Sequence, residues 1–288
     1  MDNNPKVSIL TSCYNHANFV EDLVQSIYSQ NGIDFEFLVI DDGSKDSSVE
    51  VLTELSKTYG FYFESQANMG FTPTLNKLLK KAKGEYLVVI ASDDVLAPDR
   101  LKLQADFLDN YAGHALICGD VVELDEKGAI GEKISYPFRE EGLFKKLILK
   151  DIFILAPSVM VRKRVIEEVG GWDEDLAIED WDMWLRIAEK YPIGYMDQVF
   201  AYYRIHSGNS HGNYHRMYAE MEKILEKHQT SAFYQEAKEK MYRDAALYLS
   251  GMIGYKKLAM FYAFKALKEG KLKSLFKITM KILFVWKE

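Results

Sequence analysis

The chain has 288 residues, 48% of them hydrophobic and 27% charged, and a formal net charge of −7. That is enough apolar material for one large domain, or one domain with an appendage, and the acidic balance lacks the basic field that general nucleic-acid binding needs. Two cysteines, Cys13 and Cys118, the polar start MDNNPK and the lack of any long apolar run point to a reducing, cytoplasmic setting with no signal peptide and no membrane span.

Val7 to Thr11 reads as a buried strand. Residues 17–30 follow with Phe19, Val20, Leu23, Val24 and Ile27 at helical spacing. Residues 35–41 form a second apolar run, which ends in Asp41, Asp42, Gly43 and Ser44. A helix over 47–59 is closed by Gly60. A short strand over 61–64 leads to a helix that Thr72 is placed to cap, with Pro73 in its first turn and Gly84 at its end. Residues 85–94 are another buried strand, and it also ends in two carboxylates, Asp93 and Asp94.

This alternation predicts an α/β fold with a mainly parallel sheet and helices on both faces. Ligands of such sheets bind at the carboxyl ends of the strands. The four strand ends are all polar, and two carry paired aspartates. No glycine-rich dinucleotide fingerprint and no P-loop is present. A phosphate-bearing ligand would therefore be held by another device. A divalent cation on Asp93 and Asp94 fits, since it relieves the repulsion of adjacent carboxylates and takes phosphate oxygens as further ligands.

Beyond residue 95 the pattern is less regular. A helix begun by Pro98, a strand from 115 and a strand running into a short helix near 160–168 are expected. A helix follows from Asp180, where acidic residues favour the positive end of the helix dipole. Asp182 and Arg186 have the spacing of a surface pair on that helix. From 213 onward strand signals vanish and successive helices follow. Between 265 and 288 seven lysines face two glutamates, a net +5 amid large apolar residues. Such a tail suits either an anionic membrane surface or a docking site on protein.

The segments VSILTSCYNHANFVEDLVQSIYSQ, EFLVIDDGSKDSS, ANMGFTPTLNKLLKKAKGEYLVVIASDD, APSVMVRKRVIEEVGGWDEDL, IEDWDMWLRIAEKYP and FAYYRIHSGNS carry a resemblance. In order and spacing they are similar to family-2 glycosyltransferases of the GT-A fold, with the spore-coat polysaccharide branch as a similar group. The resemblance implies a GT-A domain over 1–212. Its nucleotide-binding half would end near 97 and its acceptor half would follow. A helical C-terminal extension would occupy 213–288.

The resemblance also implies roles. Thr11 and Tyr14 would line the base pocket, with the Tyr14 ring stacked on the base. Asp42 would accept a hydrogen bond from the base imide, which favours a UDP-sugar donor. Asn68 and Gly70 would form a loop near the donor. Ser92, Asp93 and Asp94 match the metal motif, although Ala91 stands where many members carry another aspartate. Asp93 would belong to the nucleotide site, and Asp94 with His206 would hold Mn²⁺ or Mg²⁺. Leu75-Asn76 replaces the usual Arg-Asn pair. Asp180 would be the catalytic base, with Glu179, Trp172 and Arg204 near acceptor or diphosphate.

The implied function is inverting, non-processive transfer of a sugar from a nucleotide-sugar donor to a glycan or lipid-linked acceptor in bacterial surface-polysaccharide synthesis. An alternative is a nucleotide-sugar-binding scaffold of a membrane-associated assembly, with peripheral attachment at the inner face of the cell membrane.

Overall fold

The computed structural model describes residues 4–207, 214–252 and 254–268. The chain divides into two compact units, Met1–Glu141 with Phe153–Ser210, and Gly142–Ile152 with His211–Glu288. The grouping of residues 142–152 with the C-terminal helices has no counterpart in the expected boundary at 212.

In the first unit, strands β1 (Val7–Cys13), β2 (Phe35–Asp41), β3 (Tyr62–Ser65) and β4 (Tyr86–Val89) alternate with helices α1 (Val20–Tyr28), α2 (Ser48–Tyr59) and α3 (Phe71–Lys81). Every residue of β1 is buried, as befits an inner strand covered on both faces. Strand β2 pairs parallel with β1, Cys13 opposite Asp41, and β3 and β4 add parallel neighbours on either side. Valine and isoleucine from these strands, with Leu23, Val24, Ile27 and Leu52 from the helices, make the core.

The parallel run stops at β4. After β5 (Val95–Leu96) and α4 (Arg100–Asn110) come β6 (Leu116–Asp125) and β7 (Ile130–Ile134). Helix α5 (Leu143–Ile148) belongs to the second unit. Then follow β8 (Met160–Arg162), α6 (Lys163–Glu168), α7 (Glu179–Ala188) and β9 (Ile193–Ile205). Among the described residues the sheet has nine strands, ordered β3-β2-β1-β4-β8-β6-β9-β5 with β7 paired to β6. Strand β8 is antiparallel to both β4 and β6, β7 to β6, and β5 to β9, while β6 and β9 are parallel. The sheet is therefore mixed. The regular strand–helix alternation ends with β4: β5 follows β4 without a helix, and β7 follows β6 through a short turn that permits reversal.

Three local expectations change. Gly70, with φ +96°, is the N-cap of α3, whereas Thr72 lies inside the helix and is buried. The helix ends at Lys81, before Gly84, because Ala82 is already extended. The expected strand over 85–94 is shorter: residues 91–94 form a turn, closed by the Asp94 amide donating to the Ala91 carbonyl at 3.2 Å.

The second unit contains α8 (Tyr214–Lys227), α9 (Tyr234–Ser250) and α10 (Lys256–Lys268). Among the described residues no helix is long and apolar enough to cross a membrane. The expectation of a membrane-binding or docking helix over 272–288 lies outside the described residues.

Candidate active site

The two aspartates that end β2 have different tasks. Asp41 shapes the turn. Its Oδ1 accepts from the Gly43 and Ser44 amides at 3.1 and 3.0 Å, and its Oδ2 accepts from the Ser44 hydroxyl. Asp42 anchors a second loop. Its Oδ1 accepts from the Met69 amide at 2.8 Å and Gln66 Nε2 at 2.9 Å, and its Oδ2 from the Gly70 amide at 2.8 Å. Asn68 Nδ2 donates back to the Asp42 carbonyl at 2.8 Å. Asp42, Asn68 and Gly70, singled out in the sequence, thus form one bonded group. Glycine at 43 is required twice over: φ is +80°, and a Cβ there would stand 2.7 Å from the Asn68 amide nitrogen.

A carboxylate has about four acceptor positions. The three loop donors leave Asp42 one more, on Oδ2. Tyr14, at the end of β1, has 45% of its surface exposed and is open to a flat ligand. Thr11 differs from its expected place. It is fully buried, and its hydroxyl donates to the Ile90 carbonyl at 2.9 Å, so it ties β1 to the end of β4.

The loop after β1 is stitched to the turn after β2. The Asn15 amide donates to Ser44 Oγ, the His16 amide to Ser48 Oγ and the Ala17 amide to Asp46 Oδ2. This fixes His16, a residue the sequence reading passed over. Its Nδ1 lies 2.7 Å from Ser92 Oγ and 3.6 Å from Asp93 Oδ1. On the other side, His206 Nε2 lies 2.9 Å from Asp93 Oδ2. One ligand atom from each of His16, Asp93 and His206 falls within 4.8 Å of the others. Burial holds the His16 pKa below its ordinary value, which favours the neutral ring that can donate a lone pair.

Asp94 sits beside this cluster, almost fully buried. Its Oδ1 accepts from the Arg204 amide at 2.9 Å. Burial first, and then the Asp93 charge, push its pKa well above the ordinary carboxylate value, against the opposing charges of Arg204 and Arg100. Asp93 Oδ1 and Asp94 Oδ2 are buried without a hydrogen-bond partner. Such atoms are costly to leave unmatched. One carboxylate, Asp93, between two imidazoles matches the donor set of a divalent transition-metal ion. The clustered set shares His206 with the expected Asp94–His206 pair, adds His16 and Asp93, and does not include Asp94.

Arg204 was expected near diphosphate or acceptor, but its guanidinium faces inward. Nε donates to the Asp93 carbonyl at 2.7 Å, Nη1 to the Asp125 carbonyl at 3.2 Å, and Nη2 pairs with Asp22 Oδ2 at 2.7 Å. The group also lies 4.9 Å from the Phe19 ring centroid. It braces the aspartate turn rather than an open surface.

Glu179 and Asp180 open α7 and are half-buried. Asp180 Oδ1 accepts from the Trp181 amide at 2.6 Å. Trp181 and Trp184 are largely buried on the same helix, which seats its first turn firmly. Asp182 and Arg186 are not a surface pair. Asp182 is fully buried, its Oδ2 lies 2.8 Å from Arg186 Nε, and Arg186 Nη1 donates to the Val169 carbonyl. Trp172, ahead of α7, is 7% exposed, and its main chain is bonded to Asn76 of α3 in both directions. Asp120 is buried as well, accepting from the Tyr195 hydroxyl at 2.7 Å and pairing with Lys133.

The model of the family described as glycosyl transferase family 2 matches residues 8–170. An uncharacterized glycosyltransferase, MJ1057 of Methanocaldococcus jannaschii, is 26% identical over 70% of this chain and 71% of its own. A putative teichuronic acid biosynthesis glycosyltransferase, TuaG of Bacillus subtilis, is 26% identical over 81% of this chain and 95% of its own. The relatives from Rickettsia felis and Rickettsia conorii are longer, and this chain spans 35% and 34% of them.

Among solved structures, S. aureus TarS 1–349 in complex with UDP-GlcNAc superposes with a TM-score of 0.63 at 17% identity, over 92% of this chain and 89% of that one. The mannosyltransferase PcManGT of Pyrobaculum calidifontis, in complex with GDP-Man and Mn²⁺, gives 0.61 at 17% identity over 99% and 82%. These likenesses give the fold: a GT-A-like mixed sheet with flanking helices and C-terminal helices. With the family's own pattern matched over more than half its length, this chain belongs to glycosyl transferase family 2.

Proposed function

We propose that the protein is an inverting, metal-dependent glycosyltransferase. It would move one sugar at a time from a nucleotide-diphosphate donor, a UDP-sugar in preference, to a glycan or lipid-linked acceptor in surface-polysaccharide assembly. The observation that carries this reading is the group His16, Asp93 and His206, whose possible ligand atoms lie within 4.8 Å of one another, with Asp93 Oδ1 buried and without a hydrogen-bond partner. The names of TuaG and of the UDP-GlcNAc and GDP-Man complexes support the substrate class.

His16, Asp93 and His206 would hold the cation, with Asp94 beside them. A bound Mn²⁺ or Mg²⁺ would offset the charge on the diphosphate as it leaves. The chain's own residues do the rest. Tyr14 gives the base a ring to stack on, and Asp42 offers its remaining acceptor position to an imide N–H. Uracil carries a donor there, and cytosine carries an acceptor.

Asp180 is the proposed base. The acceptor hydroxyl oxygen attacks the anomeric carbon and gives its proton to the Asp180 carboxylate. The bond from that carbon to the diphosphate oxygen breaks, and the nucleotide diphosphate leaves with the electron pair. Attack opposite the leaving group inverts the anomeric centre.

Titration calorimetry tests the donor half of this reading. UDP should bind in the presence of Mn²⁺, bind much more weakly in chelator, and outcompete CDP. Equal affinity for UDP with and without Mn²⁺ would remove the metal from the account.

A further inference from the structure

Helix α10 has two apolar faces. Ala259, Tyr262, Ala263 and Ala266 are buried, and the helix packs along α9. The other face carries Met260, Phe261 and Phe264, exposed by 58, 49 and 58%. Together with Lys257 and Lys268 these residues follow the spacing 257, 260, 261, 264, 268, which is a single stripe along a helix. A soluble surface rarely presents two phenylalanines and a methionine side by side without a use.

The charge around the stripe narrows that use. Residues 256–268 contain four lysines and no acidic residue, in a chain whose net charge is −7. Lys265 is engaged by Glu222 at 2.7 Å. Lys257 and Lys268 stand at the two ends of the stripe, and the Lys268 ammonium lies 5.0 Å from the centroid of the Phe264 ring. We propose that this face of α10 is a docking surface for an anionic lipid bilayer. The phenyl rings and the methionine would enter the headgroup–acyl boundary while the lysines meet lipid phosphates.

Two other occupants fit the charge less well. A second copy placed by two-fold symmetry would bring lysine-flanked faces together with no acid to offset them. Residues 269–288 carry five lysines and two glutamates, so they too have the wrong sign. A bilayer rich in acidic headgroups complements both the apolar stripe and its rim.

Sedimentation of the full chain with vesicles tests the proposal. The wild type should pellet with phosphatidylglycerol vesicles, much less with phosphatidylcholine vesicles, and less as salt rises. The double variant Phe261→Ser, Phe264→Ser changes only exposed side chains, and circular dichroism with a thermal melt would confirm its fold. Its partition should fall at least tenfold. Lys257→Glu with Lys268→Glu should cost more than twentyfold, since one lysine near such a surface is worth about fivefold.

Undiminished binding by the serine variant would overturn the proposal and pass the role to residues 269–288. So would a wild type that ignores anionic vesicles. Loss of a dimer in the serine variant, with vesicle binding unchanged, would assign the face to a second copy instead.

Discussion

Asn76 grips the main chain of Trp172 from both sides. The Trp172 amide donates to Asn76 Oδ1 at 3.0 Å, and Asn76 Nδ2 donates to the Trp172 carbonyl at 2.8 Å. Gly171 makes room for this approach, since its φ is +76° and a Cβ there would lie 2.9 Å from Asn76 Oδ1. Helix α3 begins at the loop bound by Asp42, and Trp172 lies seven residues before Glu179 opens α7. The proposed donor loop and the main chain at Trp172, ahead of the proposed base, are therefore tied to one helix.

Breaking this clamp should cost stability and turnover more than donor affinity. Asn76→Ala removes two hydrogen bonds to main chain, each worth about 0.5–1.5 kcal/mol. An unfolding free energy from urea titration lowered by about 1–3 kcal/mol is expected, with UDP affinity within about twofold of wild type. A turnover number unchanged alongside that loss would show that the clamp is merely structural.

Asp42→Ala tests the base pocket and its loop together. It removes an acceptor from the Met69 and Gly70 amides and from Gln66. UDP affinity should fall by about 1.5–3 kcal/mol, the range for hydrogen bonds to a charged group. Discrimination between UDP and CDP should shrink in the same variant. A wild type that binds CDP as tightly as UDP would contradict the imide contact.

The raised pKa of Asp94 sets a pH dependence of the metal-free fold. Its folded-state value lies above the ordinary 3.8, so folding favours the proton. That contribution is fully present below about pH 4 and is lost as pH rises through the raised value. Asp94→Asn keeps the acceptor for the Arg204 amide and removes the buried charge. In chelator the variant should be more stable than wild type at pH 8, and the gap should close toward pH 4, as read from urea midpoints. A variant equally destabilised at both pH values would contradict this origin of the shift.

The metal cluster predicts a role for a residue outside the aspartate motif. His16→Ala should weaken Mn²⁺-dependent UDP binding by tenfold or more, since even a residue that only supports a metal ligand is worth about 10–100-fold. His16→Ala with unaltered affinity would leave the cation to Asp93, Asp94 and His206.

Much of the donor half is legible in the chain because its signals are local. Apolar runs ending in Asp41-Asp42 and Asp93-Asp94 mark strand ends, and helical periods between them force parallel pairing. What the chain hides is long-range. His16 gains meaning only when Ser44, Ser48 and Asp46, some 30 residues on, fix its loop. Arg204 looks like a ligand-binding arginine until its partners Asp22, Asp93 and Asp125 close around it. Asp182 and Arg186 have the spacing of a surface pair, and only packing buries them. The strand near 160 is legible, but its reversal is not, because an apolar run marks a strand without giving its direction; β7 is short and mostly exposed and shows no apolar run.

The most direct test of the account is Asp180→Asn. The amide keeps the size of the side chain and an acceptor for the Trp181 amide, but it cannot take the proton. Donor affinity should hardly change, while transfer to acceptor should fall by about 10²–10⁴, the usual contribution of a positioned general base. Loss confined to turnover would mark an interaction made only in the transition state. Transfer at a near-normal rate by Asp180→Asn would contradict the account and turn the search for the base to Glu179.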